Sequence, residues 1–290
     1  MLDAGRTLAP LRRGAGDPAF RVDPLGAVWR AVRTPAGPGT VRLAVRRGAG
    51  EVEAQAWGAG AEWLLDHVPA FLGADDDPEG FVPHHPVLRE SAARNAGWRI
   101  ARAGLVFEVL APAILEQKVT GKQARASWRA LLTRFGEPAP GPAPAGMRVP
   151  PAAAEWARIP SWEWHKAGVE PARSKALVSA ARVAGRLDED LTSAEADRRL
   201  RAVPGIGVWT SAETRQRSHG DPDAVSVGDY HLAHYVGVAL TGRRVDDAGM
   251  LELLAPYAGH RYRVTRLIEM SGVDMPRYGP RITIQDHRGH

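Results

Sequence analysis

The sequence predicts an α+β fold in which a small N-terminal antiparallel sheet domain precedes a longer, mostly α-helical domain. Three observations carry this. Between Phe20 and Phe71 apolar residues fall in short alternating runs broken by Gly and Pro, the period of strands. Beyond Pro86 they recur at three- and four-residue intervals, the period of helices. At 290 residues the chain is also long enough for two modest domains, each with its own core.

In chain order, residues 1–17 show no period and are expected to form a flexible tail. Residues 18–86 make the small α+β domain. Gly26–Val32, Gly39–Val45 and Glu51–Trp57 are its three expected strands, and a helix over Glu62–Leu72 is expected to lie on them. Arg42, Arg46, Arg47, Glu51 and Glu53 mark a polar face, so the sheet should expose one side. Asp75, Asp76 and Asp77 stand in a row before Pro78. They lack the alternating spacing of a calcium loop and imply a solvated turn. Residues 87–290 make the helical domain, with helices expected over 87–93, 105–120, 121–135, 151–156, 161–165, 171–187, 193–202, 208–218, 229–240, 246–255 and 259–271. Pro171 suits a first helical turn, and Thr192 to Glu195 is a capping-box pattern. Residues 137–150, rich in Pro and Gly, suit an extended surface connection.

Composition narrows the function classes. The formal net charge is +5 and arginine far outnumbers lysine, which favours a polyanionic partner because the guanidinium forks onto phosphate. A GC-rich genome would inflate arginine as well. With no cysteine there is no disulfide, thiolate zinc site, iron–sulfur cluster or cysteine nucleophile. No apolar signal core or run of membrane-spanning length is present, so a soluble protein of the cytoplasm is expected, with no membrane contact.

The most informative stretch is 193–229. Val203-Pro204-Gly205-Ile206-Gly207 interrupts two helical runs (a hairpin over 193–218), and its glycines leave backbone amides uncovered at the start of the second helix. Such a turn is a ready phosphate site. About twenty residues on, Asp229 follows Val227-Gly228 and opens another apolar run. By position alone it fits a helix cap as well as a catalytic carboxylate.

Leu200 to Ser211, with Val227-Gly228-Asp229-Tyr230-His231, resembles the helix-hairpin-helix DNA glycosylase superfamily, and most of all its bacterial 3-methyladenine DNA glycosylase II type. Ile114-Leu115-Glu116-Gln117-Lys118-Val119-Thr120 and Ala172 to Leu177 extend the resemblance over nearly the whole chain. It implies a monomeric enzyme that flips a damaged base, an alkylated purine, out of double-stranded DNA and hydrolyses its glycosidic bond. It makes Asp229 the catalytic acid and gives the base pocket to Trp209, Glu213 and Gln117, with Glu269 less securely aligned. Lys118, Val203, Gly205, Ile206, Gly207 and Thr210 would contact DNA. No cofactor is required, but the resemblance implies a structural Na+ or K+ held by the backbone carbonyls of Arg201, Val203 and Ile206.

Trp209 stands where lyase-active members carry a Schiff-base lysine, so the resemblance implies a monofunctional enzyme. It serves equally as a base-stacking ring or a core residue. Lys118 and the two glutamates depart from the family, which keeps a non-catalytic DNA-binding or lesion-recognition protein as the second reading. Arg261, Arg263 and Arg266 suit either phosphate contacts or a solvated basic face. His231 and His234 lack a third metal ligand, and Trp162 and Trp164 read as packing residues.

Overall fold

A computed structural model describes residues 2–46 and 48–273, so Arg47 lies outside the described residues. The chain opens with a short helix, α1 (Ala4–Leu8), capped by the Asp3 side chain on the amide of Arg6, and a single 3-10 turn, Ala9–Leu11. This corrects the flexible tail. Leu8 is fully buried and Leu11 nearly so, both in the core of the sheet domain. Asp17, also buried, accepts from the amides of Arg13 and Ala19 and from the indole of Trp128. A five-residue helix is too short to display a period, and its anchors come from residues far along the chain.

Strands β1 (Phe20–Val22), β2 (Val28–Thr34), β3 (Gly37–Arg46) and β4 (Glu51–Gly58) form one antiparallel sheet in sequence order. The three-residue β1, opposite Val28 to Arg30 of β2, was too brief to be legible. One face buries Val28, Val32, Val41 and Leu43 against helix α2 (Ala61–Phe71) and α1. The other face is not bare. The proline-rich connection contributes β5 (Glu137–Pro138) and β6 (Arg148–Val149), and Met147 and Val149 pack on Trp29 beside the stacked Trp29–Trp57 pair. The expected surface connection is thus a structural cover. Asp76 departs from expectation too: its carboxylate is buried on Arg263 at 2.6 Å and accepts from the amide of Ile100.

The helices α3 (Pro86–Arg94), α4 (Val106–Leu115), α5 (Gly121–Phe135), α6 (Ala153–Trp156), α7 (Ser161–Lys166), α8 (Pro171–Arg182) and α9 (Ala184–Leu187) follow. Next come the hairpin helices α10 (Ser193–Arg201) and α11 (Val208–Ser218), then α12 (Leu232–Thr241), α13 (Asp247–Leu254) and α14 (Arg261–Ser271). α4 is buried on every side, the mark of a central helix. Its core includes Leu110, Ile114, Trp128, Leu177 and Leu200, with Trp128, Trp156 and Trp164 stacked in a row. Trp162, by contrast, is 61% exposed and packs nothing in that core. α12, α13 and α14 fold back on α3 around Val236, Met250, Leu254 and Ile268. Val225 and Val227, in the loop between α11 and α12, pack into this second core.

Candidate active site at the helical hairpin

Leu200, Val203 and Ile206 bury their side chains in the core beneath the hairpin, leaving Pro204, Gly205 and Gly207 exposed above it. Val203 and Ile206 can therefore meet DNA only through their main chain. Gly205 sits at φ +88°, and a Cβ there would lie 2.7 Å from that of Ala176 on α8. Glycine and alanine at these two positions are what lets the turn rest on that helix. No side chain caps α11, so the amides of its first turn remain available to an anion.

Thr210 and Gln117 are bonded to each other at the hairpin. Thr210 is 2% exposed, and its hydroxyl accepts from the Gln117 amide at 2.9 Å. Gln117 also donates to the carbonyl of Gly205 at 3.0 Å. With both amide protons engaged, Gln117 braces the hairpin. Arg173, within the motif on α8 but not singled out from sequence, is buried and donates to the Leu115 carbonyl at 2.9 Å. It thereby closes the end of α4. Lys118 follows at φ +53°, the one described non-glycine residue in the left-handed region, and its side chain is exposed. Backbone strain of this kind collects at functional positions.

Asp229 is half-buried. One carboxylate oxygen accepts from the amides of His231 and Leu232 at 2.9 Å each, and the other from the Trp209 indole at 3.1 Å. The carboxylate thus closes the turn before α12 with one oxygen and meets α11 with the other. Trp209 fixes the carboxylate through its N–H. One turn along α11, Glu213 is not a bare carboxylate: it pairs with Arg217 at 2.8 Å and accepts from the Ser226 hydroxyl at 2.5 Å. Burial works to lower the basicity of Arg217, but Glu213, Tyr262 and Glu116 together outweigh it and hold the guanidinium charged. Arg217 reaches back to the carbonyl of Pro10, and Arg13 approaches Glu116 at 3.4 Å. Burial lowers Arg13, with Glu116 opposing. The N-terminal segment thus backs the site with charge, and nothing in its sequence signalled that.

Other candidates separate from the site. Arg261 pairs with Asp223 and Arg263 with Asp76, so neither is a free phosphate contact, while Arg266 pairs with the exposed Glu269. His234 meets the carbonyl of Val245 and His231 an edge of Tyr230. Among the described residues no cluster of three His, Asp or Glu could hold a metal. The hairpin turn instead offers neutral carbonyl oxygens. That of Val203 accepts from the Ile206 amide at 3.1 Å and keeps a second lone pair, a donor set that suits a monovalent cation.

The chain superposes on a 3-methyladenine DNA glycosylase from Archaeoglobus fulgidus with a TM-score of 0.73 and 16% identity, over 94% of this chain and 96% of that one. It superposes on an 8-oxoguanine glycosylase/lyase from Clostridium acetobutylicum with a TM-score of 0.70 and 12% identity, over 93% of each. In sequence it is 30% identical over 165 residues to a Mycobacterium tuberculosis protein named "Probable bifunctional transcriptional activator/DNA repair enzyme AlkA". That match takes in 56% of this chain, which spans about a third (33%) of the relative's length. No family model matches the sequence.

Proposed function

We propose that this chain, which has the α+β fold of the helix-hairpin-helix DNA glycosylases, is a monofunctional DNA glycosylase that removes a damaged base, an alkylated purine, from duplex DNA. The observation that carries the proposal is Asp229: a half-buried carboxylate held on both oxygens by neutral donors, beside a hairpin with open amides. Glycosidic cleavage leaves positive charge on the deoxyribose, and a fixed anion in a sheltered site stabilises that charge. The same carboxylate can orient the attacking water.

The hairpin amides take a backbone phosphate, and the exposed, strained Lys118 enters the duplex where the nucleotide leaves. Two solved relatives, the Clostridium enzyme and a 3-methyladenine glycosylase of Schizosaccharomyces pombe, are themselves described in complex with DNA. Tryptophan at position 209 cannot form a Schiff base, which supports hydrolysis without lyase chemistry. The enzyme would act as a monomer on cellular DNA with no cofactor in the reaction. A Na+ or K+ on the carbonyls of Arg201, Val203 and Ile206 would stiffen the phosphate-binding turn.

The test is release of base from duplexes carrying single lesions, 7-methylguanine, 3-methyladenine, hypoxanthine or ethenoadenine, scored as abasic sites with and without alkali. Asp229→Asn should abolish release, and the wild-type strand should stay intact until alkali is added. A non-catalytic lesion-binding protein remains the second reading, because the Glu213–Arg217 ion pair occupies the α11 face next to Trp209. Tight duplex binding without release from any lesion would establish it.

A further inference from the structure

Between α11 and α12 the chain makes no regular structure, yet it carries Asp229. Gly220 and Gly228 both take positive φ in this stretch, so the backbone itself does little to fix its path. Asp223 is held by Arg261 and the Gly259 amide, and the Gly228 amide donates to Asp247, while Ala224, Ser226 and Asp229 are held from one face of α11. Trp209, Glu213 and Gln216 stand at i, i+4 and i+7, consecutive turns of the same stripe. Each ends on the loop. Trp209 donates to Asp229, and the Glu213 carboxylate accepts from Ser226. Gln216 donates at 2.9 Å both to the Ser226 hydroxyl and to the carbonyl of Ala224. The carbonyl of Ser226 in turn receives the Asp229 amide at 3.2 Å.

We infer that Glu213 and Gln216 are positioning residues that, through Ser226, hold the 224–229 loop so that the Asp229 carboxylate stays aimed. This deepens the glycosylase reading and rests on it for its kinetic consequences.

The hydrogen-bond inventory supports this assignment over base recognition. Ser226 is 3% exposed and Gln216 is 4% exposed. The hydroxyl has one proton, which goes to Glu213, and it accepts the Gln216 amide, so its only donor is committed to the clasp between α11 and the loop. Glu213 has one oxygen on Ser226 and the other on Arg217, whose Nε is fixed by the Pro10 carbonyl at 2.9 Å. A base donor reaching Glu213 would have to share an oxygen already engaged by Ser226 or Arg217. Aim matters because a displacement of about 1 Å at a reacting group can cost on the order of a hundredfold in rate.

The experiment uses the full-length protein with Ser226→Ala, Ser226→Thr, Glu213→Gln and Glu213→Ala. In single-turnover base release, Ser226→Ala and Glu213→Ala should each slow cleavage about tenfold or more, by the same factor on every lesion the wild type accepts, with duplex affinity unchanged within about twofold. Ser226→Thr retains the hydroxyl and should recover the rate. Glu213→Gln keeps an acceptor for Ser226 and should fall less than Glu213→Ala. A change confined to one lesion would show that Glu213 reads the base and would overturn the proposal, as would an unchanged rate in Ser226→Ala.

A second measurement is independent of catalysis. The indole N–H of Trp209, assigned by its loss in Trp209→Phe, should exchange with solvent at least about tenfold faster in Ser226→Ala than in wild type. If wild-type protein releases no base from any duplex, the glycosylase reading fails while this exchange still decides the clasp. Unaltered protection would sink the clasp alone.

Discussion

Single side chains in this protein hold two offices, and Trp209 separates them most cleanly. Its ring lies half-buried on α11 while its N–H fixes one oxygen of Asp229. Trp209→Phe keeps an aromatic surface and deletes the donor. A hydrogen bond to a charged group contributes about 1.5–3 kcal/mol, so the cleavage step should slow about ten- to hundredfold while duplex affinity stays within about twofold. Single-turnover kinetics beside a binding isotherm decide it; equal loss in both would mean that the ring, through stacking, is what counts. Lys118 offers the opposite trade. At φ +53° a lysine is strained and glycine is not. Lys118→Gly should therefore raise unfolding free energy by about 0.5–1 kcal/mol while weakening duplex binding. A thermal melt and a titration on the same preparation read both signs.

Among elements, those with chemical punctuation were legible from sequence and those set by distant partners were not. α10 starts where the Thr192–Glu195 capping box puts it, and α11 starts after Gly207 as the glycine turn requires. α5 matched its expected bounds because Thr120 and Gln123 form a second capping box. That box also explains the miss in α4, which ends at Leu115 where Arg173 takes its carbonyl, five residues before the apolar pattern stops. The C-terminal end of α11 carries a pH-sensitive residue. His219 follows the helix with its ring against the Ser218 hydroxyl, and burial, helped by Arg102, lowers its basicity. The folded protein therefore prefers His219 neutral, whereas the unfolded chain protonates it near pH 6.5. Its contribution to stability is complete above that pH and is lost as pH falls through the lower folded value. Urea midpoints measured from pH 7.5 down to 5 should decline, and His219→Gln should flatten the decline; an identical slope in the variant would place the titration elsewhere.

For the whole molecule, the α+β class was readable because its signal is a change of period along the chain. How the parts join was not, because the joint is built from isolated polar residues. Arg30 of β2 meets Glu108 of α4 at 2.6 Å, with 5% and 11% side-chain exposure, so one ion pair pins the sheet to the central helix. Beside it a cavity of about 20 Å³ is lined by Arg13, Arg30, Glu108 and Trp128. Arg13 Nε, Arg30 Nη1 and Glu108 Oε2 have no partner there among the described residues. Two donors and one acceptor around that volume suit a single buried water. Burial raises Glu108 while Arg30 opposes it, so the Glu108 charge depends on Arg30. Arg30→Met should then cost about 3–5 kcal/mol, because it strands a buried carboxylate, whereas Arg30→Met with Glu108→Leu should recover most of that loss. Denaturant titrations of the two single variants and the double variant give the coupling directly. Additive losses would mean that the sheet is held by its apolar contacts with α4 and that the pair contributes nothing of its own.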